Sequence, residues 1–352
     1  MQTSLTPRAR AGRYLGIGAL LGSTALALVW AAHGFNSSQA SPQQITDQFE
    51  RNAGFQPGFR RNHSKGLCVT GYFEAQGEAS IYSTAALFQA GQTPVIGRFA
   101  IGGSNPQAAD DSVPIRSLAL QFNLANGEQW RTAMNSNAVF PVASPQSFYE
   151  QLQASQPDPK TGKPDPARLK DFFDSHPETA AFRAWLKGFT PSSSWANTHY
   201  YGLNAFVLVQ EQGQRQAVRW SLVPEQPYEP LAAVQRDNPN TLSHDLEQRL
   251  QQGPLRWQLR LTLAQLEDPT HDATQAWPAD RPQITAGLVV LEHSQPQATG
   301  PCRDINYDPL VLPKGIEGSD DPLLSARSAV YATALYRRLQ ENHSTTGALQ
   351  HD

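Results

Sequence analysis

The sequence predicts an α+β protein: an antiparallel β-barrel of about eight strands with peripheral helices, preceded by an N-terminal transmembrane helix. Three observations lead there. Short apolar runs bounded by turn residues recur along the chain, which carries 27 prolines and 25 glycines in 352 residues. Most connections between those runs lack a crossover helix, so neighbouring strands pair antiparallel. A closed barrel uses such strands without leaving open edges.

In chain order, residues 41–55 form a short amphipathic helix on the period of Ile45 and Phe49, ended by Gly54 and Gly58. Residues 59–74 begin as a basic turn, Arg60-Arg61-Asn62-His63, and continue as a strand entering the core. Residues 80–86 suggest a helical turn. Residues 94–101 and 115–122 are strands, each with an arginine inside an apolar run, and residues 102–111 form a polar loop between them. Residues 127–135 lead to the apolar piece 138–142, and Pro145 then opens a helix at its first position. A helical pattern over residues 158–186 splits near His176-Pro177. Strands at 205–209 and 217–222 flank the turn 210–213 and make a hairpin. A helix at 241–251 precedes strands at 257–263 and 284–291. Residues 304–307 add a last edge, and a helix over residues 322–339 closes the fold.

Hydrophobic residues are 39% of the chain and charged residues 17%, a balance that supports a sizeable core. The net charge of −3 offers no general electrostatic attraction for nucleic acid. The start differs in kind. Arg8, Arg10 and Arg13 precede an uncharged stretch, Tyr14 to Ala32, of 19 residues, long enough to span a bilayer. Positive charge ahead of it holds the start in the cytoplasm and exports the remainder. Ser38-Gln39-Ala40 has the form of a signal-peptidase site but lies far from the apolar run, which favours an uncleaved anchor. Residues 1–40 are therefore the anchor or signal segment and linker, and residues 41–352 the functional domain. This places the protein in the inner membrane as a single-pass chain with its domain in the periplasm. Cys68 and Cys302 are the only cysteines. In an exported chain they can pair across a closing barrel; two separate buried thiols fit the sequence equally well.

His63 at the mouth of a strand is well placed for proton transfer, because a rigid element fixes its ring. Taken alone it reads as structural or exposed. The surrounding motifs change that. Arg60-Arg61-Asn62-His63-Ser64-Lys65-Gly66 followed by Gly71-Tyr72-Phe73-Glu74 resembles the active-site strand of heme catalases. Thr93-Pro94-Val95 with Arg98-Phe99, the Arg116 strand, and Asn135 to Phe140 match in order and spacing. Trp277-Pro278, Leu288-Val289-Val290-Leu291, Tyr307-Asp308-Pro309 and Gly315-Ile316-Glu317 continue the resemblance. Arg327-Ser328-Ala329-Val330-Tyr331 is similar to the family's heme-ligand helix. The resemblance runs from Phe55 to Leu339. The leader and short length look like the catalase-related peroxidase branch.

The resemblance implies a heme b cofactor. His63 would move the peroxide proton on the distal side, and Asn135 would hydrogen-bond the peroxide. Tyr331 would be the proximal iron ligand, kept anionic by the charge of Arg327 on the same helical face. Arg60, Arg98 and Arg338 would meet the heme propionates, where a guanidinium fork suits a carboxylate. Phe140 and Phe148 would wall the heme edge. Ala100 stands where many catalases have a serine beside the distal histidine, so one orienter of His63 is expected to be lost. The run Met134-Asn135-Ser136-Asn137-Ala138 also departs from the usual double asparagine, and no NADPH site is identifiable. With the missing hydroxyl, a short chain and an open heme edge, the implied activity is a peroxidase. It would reduce organic hydroperoxides or hydrogen peroxide with a small-molecule electron donor. The alternatives are a true catalase and a heme- or lipid-binding barrel without turnover.

Overall fold

The computed structural model describes residues 39–231 and 239–348. The predicted membrane segment, Tyr14 to Ala32, lies outside the described residues. Among those described, no helix is long and apolar enough to cross a membrane. The barrel and the site lie within one unit, Ser41–Asp352.

The strands are β1 (Gly66–Ala75), β2 (Gly91–Ile101), β3 (Arg116–Asn123), β4 (Gln129–Asn135), β5 (Tyr200–Tyr201), β6 (Phe206–Val209), β7 (Arg215–Pro224), β8 (Leu255–Leu263), β9 (Gln283–Pro296) and β10 (Ile316–Gly318). All pair antiparallel, β1 with both β2 and β9, and β7 with β8 closes the ring. β5 and β6 act as one strand against β7, interrupted around Leu203, so the ring is an eight-stranded barrel. Alternation drives it: β8 reads Leu-Arg-Trp-Gln-Leu-Arg-Leu-Thr-Leu, and every second residue is buried.

The barrel interior is apolar and aromatic. Phe99 stacks on Trp195 at 5.3 Å between ring centres, Phe122 on Trp130 at 4.6 Å, and Phe206 on Trp220 at 4.0 Å. The buried indoles of Trp220 and Trp257 donate to Thr132 Oγ1 at 2.9 Å and to the Thr198 carbonyl at 3.2 Å. Each therefore adds apolar area without stranding its N–H.

The helices are α1 (Pro42–Ala53), α2 (Pro145–Ala154), α3 (Pro166–Ser175), α4 (Ala180–Gly188), α5 (Thr241–Gln252) and α6 (Pro322–Ala348). α1 starts in a capping box, with Ser41 N–H donating to Gln44 Oε1 at 2.8 Å and Gln44 N–H to Ser41 Oγ at 3.2 Å. Ser144 caps α2, and the Asp321 carboxylate accepts the Leu323 N–H of α6 at 2.9 Å. Ion pairs clasp α1 to α6: Arg337 reaches Asp47 at 2.6 Å and Glu50 at 3.1 Å, and Arg61 binds both Glu50 and Glu341.

The expected edge at residues 304–307 is not a strand. Its carbonyls serve arginines instead of a ladder: Ile305 O accepts from Arg60 Nη2 at 3.0 Å and Asn306 O from Arg131 Nη1 at 2.7 Å. The added edge is β10, paired with β6. Residues 80–86 hold no single turn; short 3₁₀ helices occupy Glu78–Ile81 and Ala86–Phe88. Residues 158–165 precede the helical pattern as a turn closed by Asp158 and Lys163.

Candidate active site

A cavity lies between the outer face of β2–β4 and the helices α1, α2 and α6. It holds about 1310 Å³ of atom-free space, counted out to its open mouth. Every residue singled out from the sequence lines it: His63, Asn135, Arg60, Arg98, Phe140, Phe148, Arg327, Tyr331 and Arg338.

Sheet register builds the floor. One cross-strand row runs Gly66, Ala100, Ser117, Asn135, Tyr201; the next holds Cys68, Arg98, Ala119 and Ala133. Small side chains in both rows leave a shallow surface, while their neighbours Phe99 and Leu120 point into the barrel core. The roof is one face of α6: Leu323, Arg327, Val330, Tyr331, Ala334 and Arg338 recur at helical spacing along the cavity. Phe140 and Phe148 form the side wall, 5.6 Å apart, with Phe49 behind Phe148 at 5.9 Å.

His63 sits just before β1 with φ of +54°. The only other non-glycine residue with positive φ among the described residues is Leu203, which also lines the cavity. Such conformations cost energy and persist where surrounding contacts over-determine them. Here Asn62 Oδ1 accepts the N–H groups of His63 at 2.8 Å and Gly103 at 2.9 Å, and Arg98 Nη2 donates to His63 O at 2.6 Å. The ring Nδ1 lies 3.2 Å from Ile101 O and 3.1 Å from Ser117 Oγ. A carbonyl only accepts, so Nδ1 carries the proton and Nε2 keeps its lone pair. Burial, and then the Arg98 charge, lower the His63 pKa from 6.5 to about 4, which makes the ring a neutral base.

Ser117 corrects the expectation drawn from Ala100. The hydroxyl absent from Ala100 is present on its directly paired neighbour across β2–β3, so His63 keeps a side-chain orienter. Ser117 also donates to Asn135 Oδ1 at 2.6 Å. Sequence reasoning missed Ser117, although its place beside Arg116 on a predicted strand put it on the face opposite that arginine. It also left Tyr307 without a role.

Another part of the cavity lining is basic. Arg60 Nη2 donates to the carbonyls of Cys302 at 2.9 Å and Ile305 at 3.0 Å, while its Nε has no partner. Arg98 Nε donates to Gln297 Oε1 at 2.6 Å. Arg338 is buried with Nε and Nη2 both unpaired, and the Tyr307 hydroxyl is also buried and unpaired. Burial, then repulsion from Arg338, bring the Arg60 pKa down to about 10, and burial, then Arg60, depress that of Arg98. Buried polar atoms without partners are rare, and here they belong mostly to guanidinium groups, whose charge suits an anionic ligand. The seat is braced by the disulfide Cys68–Cys302, with Cα atoms 5.3 Å apart, which staples the loop after β9 to β1.

On α6, Arg327 Nη2 donates to Ala133 O at 3.2 Å, Nη1 to Asn204 Oδ1, and Asn204 Nδ2 to Asp321 at 2.8 Å. Its guanidinium carbon lies 5.9 Å from the Tyr331 ring centre. Among the described residues no group of three or more His, Cys, Asp and Glu side chains could hold a bare metal ion. A tyrosine on the cavity wall, an apolar slot and a basic part of the lining suit a metal that brings its other donors with it on a carboxylated macrocycle.

The chain is similar to known proteins over most of its length. The Catalase family pattern matches residues 45–347. The chain is 41% identical over 326 residues to the catalase-related peroxidase of Synechococcus elongatus, covering 92% of this chain and 95% of that one. It is 30% identical to the catalase-related peroxidase of Mycolicibacterium paratuberculosis, covering 86% of this chain and 96% of that one. Against the catalase of Pseudomonas syringae, 29% identical over 78% of this chain, it spans 56% of the relative's length. A solved fungal catalase superposes with a TM-score of 0.73 at 22% identity, covering 82% of this chain and 61% of that one.

Proposed function

The chain belongs to the catalase family, and from that premise we propose that it is a heme b peroxidase. It would reduce organic hydroperoxides or hydrogen peroxide with a small-molecule electron donor. One observation carries the reading: His63, held as a neutral base, and the helix-borne Tyr331 line one cavity together with Arg60 and Arg338, which keep unpaired nitrogens. A heme- or lipid-carrying barrel without turnover has no use for a tautomer-fixed base at its ligand. The near full-length likeness to two catalase-related peroxidases favours a peroxidase over a true catalase. Disproportionation of hydrogen peroxide stays as the second reading, because Ser117 restores a hydroxyl beside His63.

Tyr331 would hold the iron, with Arg327 favouring its anionic form, and Arg60, Arg98 and Arg338 would hold the propionates. When bound, the heme supplies the electrons that split the peroxide O–O bond and recovers them from the donor. His63 Nε2 takes the proton from one peroxide oxygen and returns it to the other, which leaves as water or an alcohol. The Asn135 amide holds the peroxide in register with that nitrogen. Phe140 and Phe148 keep the side of the slot apolar and limit water there.

The cellular placement rests on sequence: the arginines before Tyr14 to Ala32 support a single-pass inner-membrane anchor with the domain in the periplasm. The Cys68–Cys302 bridge fits an oxidising compartment.

The absorption spectrum of the purified protein, followed by peroxide with and without a donor dye in an oxygen electrode, tests the activity. A heme spectrum and donor oxidation faster than oxygen release are expected. Vigorous oxygen release without donor oxidation would establish the catalase reading, and absence of heme would remove both.

A further inference from the structure

Ser117 lies between the two groups that meet a peroxide. Its Oγ is 3.1 Å from His63 Nδ1 and 2.6 Å from Asn135 Oδ1. The direction of each bond follows from what each atom can do. Ile101 O fixes the proton on Nδ1, so Ser117 Oγ accepts from the imidazole. The Asn135 amide oxygen only accepts, so the Ser117 hydroxyl proton points to it. One hydroxyl thus receives from the base and donates to the amide.

We propose that Ser117 is a positioning residue that sets two complementary groups at once: an acceptor at His63 Nε2 and a donor at Asn135 Nδ2. With Oδ1 turned to Ser117, the amide N–H₂ is left for a ligand in the cavity. With Nδ1 protonated, Nε2 is left to take that ligand's proton. A hydroperoxide offers an O–H and a lone pair, so it meets one partner for each. Sheet register supplies the arrangement: Ala100, Ser117 and Asn135 are consecutive members of one cross-strand row, and the middle member alone can bond both sides. The assignment rests on the peroxidase reading for its ligand.

The same register supplies the test. Ala100 is the direct partner of Ser117, so the hydroxyl can be moved one strand over in the double variant Ala100→Ser/Ser117→Ala. Cyanide, which binds as HCN and gives its proton to a distal base, reads the positioning without turnover. In the heme-loaded protein, Ser117→Ala is expected to keep its heme content and weaken cyanide binding about 10- to 100-fold, with a similar loss in the peroxide reaction rate. The double variant is expected to recover most of the cyanide affinity. Unchanged cyanide affinity in Ser117→Ala overturns the assignment. So does loss of heme in that variant, or no recovery in the double variant. Failure of the peroxidase reading looks different: the wild type itself would bind no heme or ignore peroxide.

Discussion

The two ends of the cavity are built on opposite principles. At the His63 end, the donors and acceptors within the protein are matched: Asn62, Ile101, Ser117 and Asn135 link into one network. At the arginine end, Arg60, Arg338 and Tyr307 keep buried atoms without partners. The first end is preorganised and needs nothing from a ligand to hold its shape. The second is complete only when something negatively charged arrives. Under the proposed function, chemistry and retention fall largely to different residues, with Arg98 touching both sides through its bond to His63 O.

The sharpest way to break that division is His63→Ala. It should keep heme and lose about 10²–10⁴-fold in the rate of reaction with peroxide, measured by stopped flow. Loss of heme in this variant would show that the two ends are not separate.

The bridge between Cys68 and Cys302 belongs to the retention end. Its sequence separation is 234, and in the chain-entropy model closing so long a loop adds about 5 kcal/mol. Cys68→Ala/Cys302→Ala should lower the unfolding free energy by up to that amount and weaken heme binding, because Cys302 and Ile305 carry carbonyls that hold Arg60. A heme titration with unaltered affinity would detach the loop from the seat.

Arg338→Leu tests the sign of the unpaired charge. Removing a buried guanidinium with two unpaired nitrogens should stabilise the heme-free protein by on the order of 1 kcal/mol and weaken heme binding. Destabilisation of the heme-free form, seen in urea melts, would mean that the arginine is already satisfied.

Most of this arrangement is legible in the sequence, because the side chains proposed for catalysis and binding sit in local motifs: His63 beside Arg60, Arg327 four residues before Tyr331. What escapes is what register and backbone decide. Ala100 alone implies a lost hydroxyl; only the pairing of β2 with β3 shows Ser117 standing opposite. The barrel is foreseeable from alternation, yet residues 304–307 read as an edge because the two arginines that take their carbonyls, Arg60 and Arg131, leave no mark in that segment's own side chains. The break at Leu203 is equally silent, since nothing in a leucine announces a positive φ.

Acid stability gives a further readout. Burial lowers the pKa of both His63 and His199 to about 4 from 6.5. The unfolded chain takes up these protons below pH 6.5 while the native rings do not. Stability should fall as pH drops through 6.5 and level off below about 4, followed by urea melts at each pH. His63→Ala should flatten part of that slope; an unchanged slope would place the His63 ring in contact with water.

The staple between β1 and the loop after β9 also dates the seat within the protein's assembly. Arg60 lies near the front of the barrel, yet the carbonyls that aim it are not synthesised until residues 302–305, and the thiol that holds them is on the first strand. A chain made only through β4 holds the row from Ala100 to Asn135 and also Arg60 and Arg98, but lacks the carbonyls that aim Arg60 and lacks Arg338. A chain that ends before residue 302 therefore lacks both halves of that seat: the carbonyls that aim Arg60, and the helix that carries Tyr331 and Arg338.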